Sequence, residues 1–245
     1  LQRRIMKNLR YSRITMERVS PYNQRMKNRR FSGLLLLAAL WFANGEASER
    51  LPLFQDDTIL KAVLTAPIAQ AYAHSDQEVR IYLPGAWAHS IDNGKVERLE
   101  VSIRTRGLFR RENCDLPPLQ LNFKKKQVKG TLLEGQDKLK IVAPCGHGQE
   151  WQEKVALEYL AYRTLQILTD NSFSTRLIRL SYVDSDEKRP PWTDIVFVIE
   201  DDADMAKRLD LVKLGVVSNR FDQLDRPATA IAELFQFLIA NNDFS

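Results

Sequence analysis

The segment 137–142, Asp-Lys-Leu-Lys-Ile-Val, carries the pattern on which the fold prediction depends. Its apolar side chains, Leu139 and Ile141, alternate with the cations Lys138 and Lys140. Successive side chains of a β-strand point to opposite faces of the sheet. The alternation therefore predicts a strand with one buried face and one charged face.

Segments with the properties of strands flank this one along the chain. Residues 98–105 and 119–123 alternate in the same way and precede it. Residues 176–183 also alternate, and 195–199 form a continuous apolar run, which is typical of a strand buried on both faces. Residues 79–83, which end at a Pro-Gly pair, are predicted as one more strand.

A long helix is predicted over residues 150–169, directly after the segment 137–142. Its apolar residues lie on one narrow arc, which predicts its buried face. These residues are Leu157, Leu160, Ala161, Thr164, Leu165 and Leu168. Glu158 lies at the border of this arc, where its carboxylate can reach a buried partner or point to solvent.

The last predicted helix begins near Pro227. Its apolar residues recur at helical spacing and predict one buried face. They are Ile231, Leu234, Phe235, Leu238 and Ile239. The polar segment Asn241-Asn242-Asp243 follows, so a rigid helix would hold the carboxylate of Asp243 in a fixed position. A frayed chain end is the alternative.

The net charge of +5 is a property of the first thirty residues. Residues 1–30 hold ten of the 36 Lys and Arg residues and one acid, Glu17, which leaves 26 basic and 30 acidic residues in 31–245. The body of the protein is therefore slightly acidic, and nucleic acid is not an expected partner.

Residues 26–47 have the properties of a secretory signal peptide. A basic start, 26–30, precedes an apolar run, 31–43, that is too short for a comfortable membrane span. Small residues then predict cleavage after Ala47. We expect an exported protein, in the periplasm, in the cell envelope or secreted, without a stable membrane span after processing. An uncleaved anchor is the alternative, and residues 1–25 are expected to be a non-native upstream extension.

Cys114 and Cys145 are the two cysteines of the chain. Because export leads to an oxidising compartment, an even number of cysteines favours a disulfide. A loop of about thirty residues closed in this way would contribute roughly 3–4 kcal/mol to stability. Two buried free thiols are the alternative. A zinc site is not expected, because two cysteines and the nearby His147 do not complete a set of four ligands.

The predicted order of elements from residue 97 is three strands, a helix, two strands, an acidic connector and two helices. The same order is found in the small lobe of a protein kinase and the start of its large lobe. We therefore predict an α+β fold with an antiparallel small-lobe sheet and one long helix over 97–200. The hinge and the first helices of a truncated large lobe would follow over 201–245, and 48–96 would be a lead-in segment.

This order of elements gives several residues candidate roles in phosphoryl transfer. The reaction needs a strand cation on the phosphates of ATP, a helix acid that orients this cation, and an Asp that accepts the hydroxyl proton. Lys138 or Lys140 would be the cation, Glu158 the helix acid and Asp243 the base. Glu200 lies at the hinge, where backbone groups would meet the adenine.

Several segments also resemble a known family. They are 104–107 (Arg-Thr-Arg-Gly), 119–124, 136–140, 158–163, 197–201 and 242–245. Together they resemble exported bacterial proteins of unassigned function that are similar to the spore-coat CotH-type atypical kinases, over about residues 97–245. The resemblance implies ATP and Mg²⁺ as cofactors, catalysis by Asp243, and phosphate binding by Lys140, with Lys138 as the rival.

Two departures from the family pattern change what we expect of this chain. The glycine-rich phosphate loop is missing, and Gly107 is the only glycine between the first two strands. Arg104 and Arg106, which precede Gly107, would bind phosphate in place of the loop. The family's metal-binding Asp would lie after residue 245. We therefore expect an inactive fragment, in which the apolar face of the last helix stays uncovered.

The favoured interpretation is an exported kinase-like protein whose full-length parent transfers phosphate from ATP to a protein or another hydroxyl acceptor. A non-catalytic envelope-binding module, or pseudokinase, is the alternative, and an unrelated α+β envelope protein is the third. The sequence contains neither a Gly-x-Ser-x-Gly elbow nor a Walker loop, which argues against a serine hydrolase and a P-loop enzyme.

Overall fold

A computed structural model of the protein describes residues 49–75, 81–91, 94–107, 109–213 and 221–241. Seven β-strands of the described residues form a closed barrel, and helices precede, connect and follow them along the chain. The strands are β1 (Leu60–Ala66), β2 (Leu83–Ser90), β3 (Val96–Thr105), β4 (Leu119–Asn122), β5 (Lys138–Val142), β6 (Thr175–Asp184) and β7 (Trp192–Ile199). The helices are α1 (Ile68–Ala73), α2 (Phe109–Asn113), α3 (Gln149–Leu168), α4 (Asp202–Arg208) and α5 (Arg226–Leu238).

The strand order around the barrel is β1-β2-β3-β4-β5-β7-β6. Neighbouring strands are antiparallel except for β6 and β1, which pair in parallel and close the barrel. In this pair Leu60 lies opposite Ile178 and Ala66 lies opposite Asp184. The helix α3 connects β5 to β6, so β7 returns to fill the place between them.

The closed barrel shows that the predicted fold class is wrong. An open kinase-like sheet with one long helix was expected, but β1 and β2 pair with β6 and β3 and close the sheet on itself. Both strands come from the segment 48–96, which was expected to be a lead-in with one strand. The side chains of β1 alternate between buried and more exposed positions, so this segment belongs to the same core as the rest of the barrel.

The strand predicted over residues 79–83 differs from β2 where the structure describes it. Residues 79 and 80 lie outside the described residues, 81 and 82 are not in a strand, and β2 begins at Leu83 and runs through Pro84-Gly85, where the prediction ended. A Cβ atom at Gly85 would lie 2.7 Å from the Cβ atom of Ala66. The glycine therefore allows β1 and β2 to approach closely, and it does not mark a turn.

The positions of the remaining predicted strands and of the long helix are confirmed to within a few residues. Inside the barrel the side chains are almost entirely apolar and fully packed. The largest of the fully buried side chains there include Trp87, Tyr182, Leu64, Ile103, Leu121, Leu139 and Ile141. Burial of this interior supplies the main stabilisation of the fold.

A second, smaller core lies outside the barrel, between its wall and the helices α3 and α4. Val155 and Tyr162 of α3 pack there with Val142, Phe197 and Met205. The rings of Tyr159 and Tyr162 each lie 5.7 Å from the ring of Phe197. These aromatic contacts fix the orientation of α3 on the barrel.

This packing agrees with the predicted buried arc of α3 only in part. Leu165 is buried as predicted, but Leu157, Leu160 and Leu168 are exposed, and Val155 and Tyr162, which lie outside the predicted arc, are buried. The helix has apolar residues on more than one side, and the aromatic contacts with Phe197 decide which side packs. On α5, Phe235 is buried, whereas Ile231, Leu234, Phe237 and Leu238 are exposed.

One end of the barrel is closed by the segment before β1. Arg176 is 4% exposed and donates to the carbonyl oxygens of Leu53 and Thr58 and to Asp56 Oδ2, at 3.1, 3.2 and 2.7 Å. A buried guanidinium needs partners of this kind, because desolvation of its charge is costly. Among the described residues, no helix has both the length and the apolar character needed to cross a membrane.

Candidate functional site

The antiparallel register of β3, β4 and β5 brings the predicted strand cations together. Arg104 lies opposite Gln120, and Gln120 lies opposite Lys140 on the next strand. Lys138 lies two residues from Lys140 on the same outer face of β5, and Arg106 follows the end of β3, two residues after Arg104. We call these four residues the cationic row.

Arg104 is held in place by contacts on the barrel wall. Its Nε and Nη2 atoms donate to Gln120 Oε1 at 2.9 and 2.7 Å. Its guanidinium also lies 4.5 Å from the ring centroid of Tyr82. A guanidinium fixed in this way loses little conformational entropy when it binds an anion.

Arg106 lies directly after β3 and is partly buried. Burial, together with the neighbouring charge of Arg110, lowers the pKa of Arg106 to about 10. Its Nε atom donates to the carbonyl oxygen of Ile141 at 3.2 Å. With the described carboxylates it forms no ion pair within 4 Å. Its side chain is partly accessible, so an anionic ligand could reach and stabilise this cation.

Lys140 lies between the barrel wall and the acidic connector that follows β7. Its ammonium lies 2.8 Å from Asp202 Oδ1 and 3.4 Å from Asp201 Oδ2. Lys213 approaches the other Asp202 oxygen at 3.0 Å. Burial alone would raise the pKa of Asp202, but the hydrogen bonds from Lys140 and Lys213 hold it below its usual value. Lys138, in contrast, is exposed.

Glu158 points inward from α3 and pairs with a different cation from the one expected. Its Oε2 atom accepts from Arg110 Nη2 at 2.7 Å, and the two side chains are 8% and 11% exposed. Lys140 pairs with Asp202 instead. The structure therefore brings Glu158 to α2 and does not bring it into an ion pair with Lys140 or Lys138.

Glu200, the predicted hinge residue, is fully buried in a network of its own. Arg208 donates to both of its carboxylate oxygens, at 3.0 and 2.9 Å. The backbone amides of Ser174 and Glu200 complete the network, because Ser174 donates to Glu200 Oε2 and Glu200 donates to the Ser174 carbonyl, both at 2.9 Å. These contacts tie Glu200 and the end of α4 to the residue before β6.

The predicted disulfide between Cys114 and Cys145 is confirmed, with a distance of 4.7 Å between the Cα atoms. Cys114 directly follows α2, and Cys145 lies in the loop between β5 and α3. The bond therefore joins the short helix that carries Arg110 to the loop that leads into the helix carrying Glu158.

Some predicted residues lie outside the described ranges. These are Asp243, the candidate base, and residues 1–48, which include the signal peptide and its cleavage site at Ala47. Within the described ranges, no group of three or more His, Cys, Asp or Glu side chains could hold a metal ion.

Gln120 and Asp202 were not predicted as parts of the site. Gln120 lies between Leu119 and Leu121, so the alternation of the strand places it on the charged face with Arg104 and Lys140. Asp202 belongs to the acidic run after β7, and the cation that it contacts depends on how this run lies against β5.

Scans of the chain against protein-family models, curated proteins and solved structures gave no match in any of the three. The resemblance to CotH-type proteins therefore stays a prediction.

Proposed function

We propose that the protein binds a phosphate-bearing small molecule, with ATP as the first candidate, on the cationic row of the barrel wall. The observation that carries this proposal is the register that aligns Arg104, Gln120 and Lys140 across three strands. In this arrangement two cations flank an amide that can also donate a hydrogen bond. Arginine and lysine side chains are the usual protein ligands of phosphate groups.

The ion pairs of Lys140 reduce the affinity for phosphate, because the ligand must displace them. A phosphate that approaches Lys140 competes with Asp201 and Asp202, which lie 3.4 and 2.8 Å from its ammonium. Lys213 remains as a partner for Asp202 when Lys140 turns to the ligand. The free-energy cost of separating Lys140 from Asp202 is therefore reduced. A dissociation constant in the micromolar to millimolar range is expected.

Isothermal titration calorimetry of the full chain with ATP tests the proposal. The variants Lys140→Met and Arg104→Gln are each expected to weaken binding by about tenfold or more, because each removes a charge-assisted contact. Lys126→Met serves as the matched control, because Lys126 is exposed and lies beyond β4, outside the cationic row. Absence of ATP binding, or an equal loss in all three variants, would contradict the proposal.

ATP-dependent phosphoryl transfer is the second candidate. The observation in its favour is a strand cation, Lys140, beside an acidic connector. In such a reaction the bond between the β- and γ-phosphates breaks, the acceptor hydroxyl oxygen bonds the γ-phosphorus, and Asp243 accepts the hydroxyl proton. Incubation with radiolabelled ATP and a mixed protein acceptor would detect transfer. Retained transfer in Asp243→Ala would remove Asp243 from the role of base.

We also propose that the protein is exported to an oxidising compartment. The Cys114–Cys145 disulfide supports this proposal, because disulfides persist mainly in such compartments. Mass spectrometry of the protein isolated from the cell envelope or the medium tests it. A mature N-terminus at Ser48 is expected, and a cytosolic protein with reduced cysteines would contradict it.

A further inference from the structure

The long helix α3 has a continuous apolar face on the side opposite its contacts with the barrel. Tyr162 lies on the packed side, where its ring contacts the ring of Phe197. At about 100° per residue, six residues lie on an arc of about 120° that is centred opposite Tyr162. They are Ala156, Leu157, Leu160, Thr164, Ile167 and Leu168, and all six are exposed. We call these six residues the outer face of α3.

The outer face is larger than the single apolar side chains that are common on protein surfaces. The exposed fractions of its large side chains are 66% for Leu157, 56% for Leu160, 85% for Ile167 and 53% for Leu168. The Thr164 hydroxyl donates to the Leu160 carbonyl oxygen at 2.9 Å, so its polar group is satisfied within the helix. Together the six side chains expose roughly 500 Å², which is at the upper end of the apolar patches that monomers leave uncovered.

The order of side chains along the outer face fits a second copy of the same helix. Two copies of α3 that run antiparallel would place each member of the face beside another member, if their midpoint lies at residue 162. A two-fold symmetric interface requires a patch that is complementary to itself in this way. The three pairs with this midpoint are 160 and 164, 157 and 167, and 156 and 168.

The spacing along the face also fits the packing of two helices side by side. The intervals from Leu157 to Leu160, to Thr164 and to Ile167 are three, four and three residues. Alternating intervals of three and four residues keep apolar side chains on the seam between two helices that cross at a small angle. The outer face therefore provides a seam about 18 Å long, from residue 156 to residue 168.

The charges around the outer face are compatible with this contact. Arg163 lies at the rim close to the midpoint, and Asp57 accepts from its guanidinium through two hydrogen bonds of 2.7 Å. Lys154 is paired with Glu150 at 3.7 Å, and Glu153 adds an exposed acid at the N-terminal end of the face. An anionic lipid surface attracts helices with basic polar faces, so it is a poor match for these surroundings.

The position of α3 is fixed before any partner arrives. In its first half Gln152 donates to Asp194 Oδ1 at 2.7 Å and accepts from the Ile195 amide at 2.9 Å, which ties it to β7. In its second half the Gln166 amide donates to the Phe173 carbonyl oxygen, just before β6. Association through a face that is already ordered has a lower entropic cost.

We propose that two copies of the protein associate through the outer faces of α3, packed antiparallel about a two-fold axis at residue 162. Two faces of this size bury on the order of 1,000 Å² in total, close to the lower limit for a specific interface, so a micromolar dissociation constant is expected. The dimer also accounts for the arc on α3 that was predicted to be buried. Leu157, Leu160, Thr164 and Leu168 belong both to this arc and to the outer face, and they are buried between the copies.

Sedimentation velocity of the full oxidised chain at several concentrations tests the proposal. We expect a dimer that forms with increasing concentration. Leu160→Glu should raise its dissociation constant by about tenfold or more, because a carboxylate of each copy would be buried without a partner. Phe237→Glu is the matched control, because Phe237 is an exposed apolar residue of α5. A chain that stays monomeric at high micromolar concentration, or a dimer that is lost in Phe237→Glu and kept in Leu160→Glu, would overturn the proposal.

A charge pair tests the antiparallel arrangement. In Leu160→Glu/Thr164→Lys each new carboxylate would lie beside the new ammonium of the other copy, so this variant should dimerise about tenfold more tightly than Leu160→Glu alone. Leu160→Glu/Ser185→Lys has the same net charge, with the lysine at an exposed position in the turn after β6, and should show no recovery. Equal dimerisation of the two double variants would overturn the arrangement, because a parallel pair brings the two carboxylates together.

A second substitution and a measurement of folding complete the test. Ile167→Glu changes the most exposed member of the outer face and should weaken the dimer to a similar extent. Thermal unfolding of each variant at a concentration where the chain is monomeric should resemble that of the unmodified chain, because the substituted side chains are exposed. A dimer that persists in both Leu160→Glu and Ile167→Glu would show that the copies associate elsewhere. Failure of the ATP experiment on Lys140 leaves these results unaffected.

Discussion

The two faces of the barrel wall are built on different physical principles, and strand β5 shows both of them. Leu139 and Ile141 face the interior and are fully buried among apolar side chains. Lys138 and Lys140 face outward, and Lys140 takes part in ion pairs with Asp201 and Asp202. The interior face stabilises the fold, whereas the outer face can carry charge at little cost to stability. A binding site on the outer face can therefore change without loss of the barrel.

The largest effect is expected from substitutions of two neighbouring residues, one on each face of β5. Leu139→Ala removes a fully buried side chain and leaves a cavity, so we expect a loss of about 4 kcal/mol in the free energy of unfolding. Lys138→Ala changes an exposed residue on the same strand and should alter it by less than about 0.5 kcal/mol. Urea denaturation monitored by circular dichroism measures both. Similar losses in the two variants would contradict the separation of the faces.

A somewhat smaller effect is expected at the disulfide, which stabilises the helices outside the barrel. The double variant Cys114→Ser/Cys145→Ser releases a loop with a sequence separation of 31 residues. A loss of about 3 kcal/mol is expected from the added chain entropy of the unfolded state. A stability equal to that of the parent under denaturant would show that other contacts hold α2.

The smallest effect is a dependence of stability on pH at the polar end of the barrel interior. His89 is 1% exposed, its Nδ1 atom accepts from Trp87 Nε1 at 3.2 Å, and its Nε2 atom lies 3.2 Å from Glu97 Oε2. Burial, and then the charge of Arg176, lower the pKa of His89 below its usual value. The folded state thus prefers the neutral imidazole.

The sign of the pH effect follows from this preference. The stability that His89 contributes is present above its unfolded pKa, near 6.5, and is lost as the pH falls toward and through its lower folded pKa. Burial raises the pKa of Glu97, and its contribution has the opposite sign but acts at a lower pH range. We expect the free energy of unfolding to fall between pH 7.5 and about 5.5.

Matched variants assign this slope to His89. His89→Gln should flatten the dependence on pH, whereas His147→Gln should keep it, because His147 is exposed. Urea midpoints at several pH values measure the slope in each protein. A slope that survives in His89→Gln would place the titrating group elsewhere.

Local patterns were sufficient to predict much of the barrel wall and the disulfide. The alternation in β3, β4 and β5 correctly assigned the buried and outward faces, because a half-buried strand leaves a period of two in the sequence. The pairing of Cys114 with Cys145 followed from their number and the expected export. These features depend on residues close together in the chain or on a single possible pairing.

Closure of the barrel could not be predicted in this way. Nothing local in β1 indicates that Leu60 will lie opposite Ile178 of β6. The Pro-Gly pair at 84–85 has the composition of a turn, but it lies within β2. Gly85 is needed there because β1 approaches it closely. Long-range pairing and close approach are properties of the whole fold, and a sequence pattern does not encode them locally.

The candidate site was predictable only in part for a related reason. The cations of the row were identified from the sequence, but their alignment with Gln120 depends on the register between strands, and a shift by one residue would reverse the face. The orientation of Glu158 depends on which side of α3 packs, and contacts of Tyr159 and Tyr162 with Phe197 decide this. Asp243 lies outside the described residues, so its role stays a prediction.

The parallel pairing of β1 with β6 also imposes a time order on folding during synthesis. β1 leaves the ribosome early, whereas its partner strand emerges only after β2 to β5 and α3 have been made. Until then the outer edge of β1 exposes unpaired amide and carbonyl groups, which can pair with an edge of another chain. Long-range closure of this kind is slow compared with the formation of the hairpin of β2 and β3. The aggregation-prone species is therefore an open sheet that awaits its last strands, and the rate at which β6 and β7 arrive controls how long it persists.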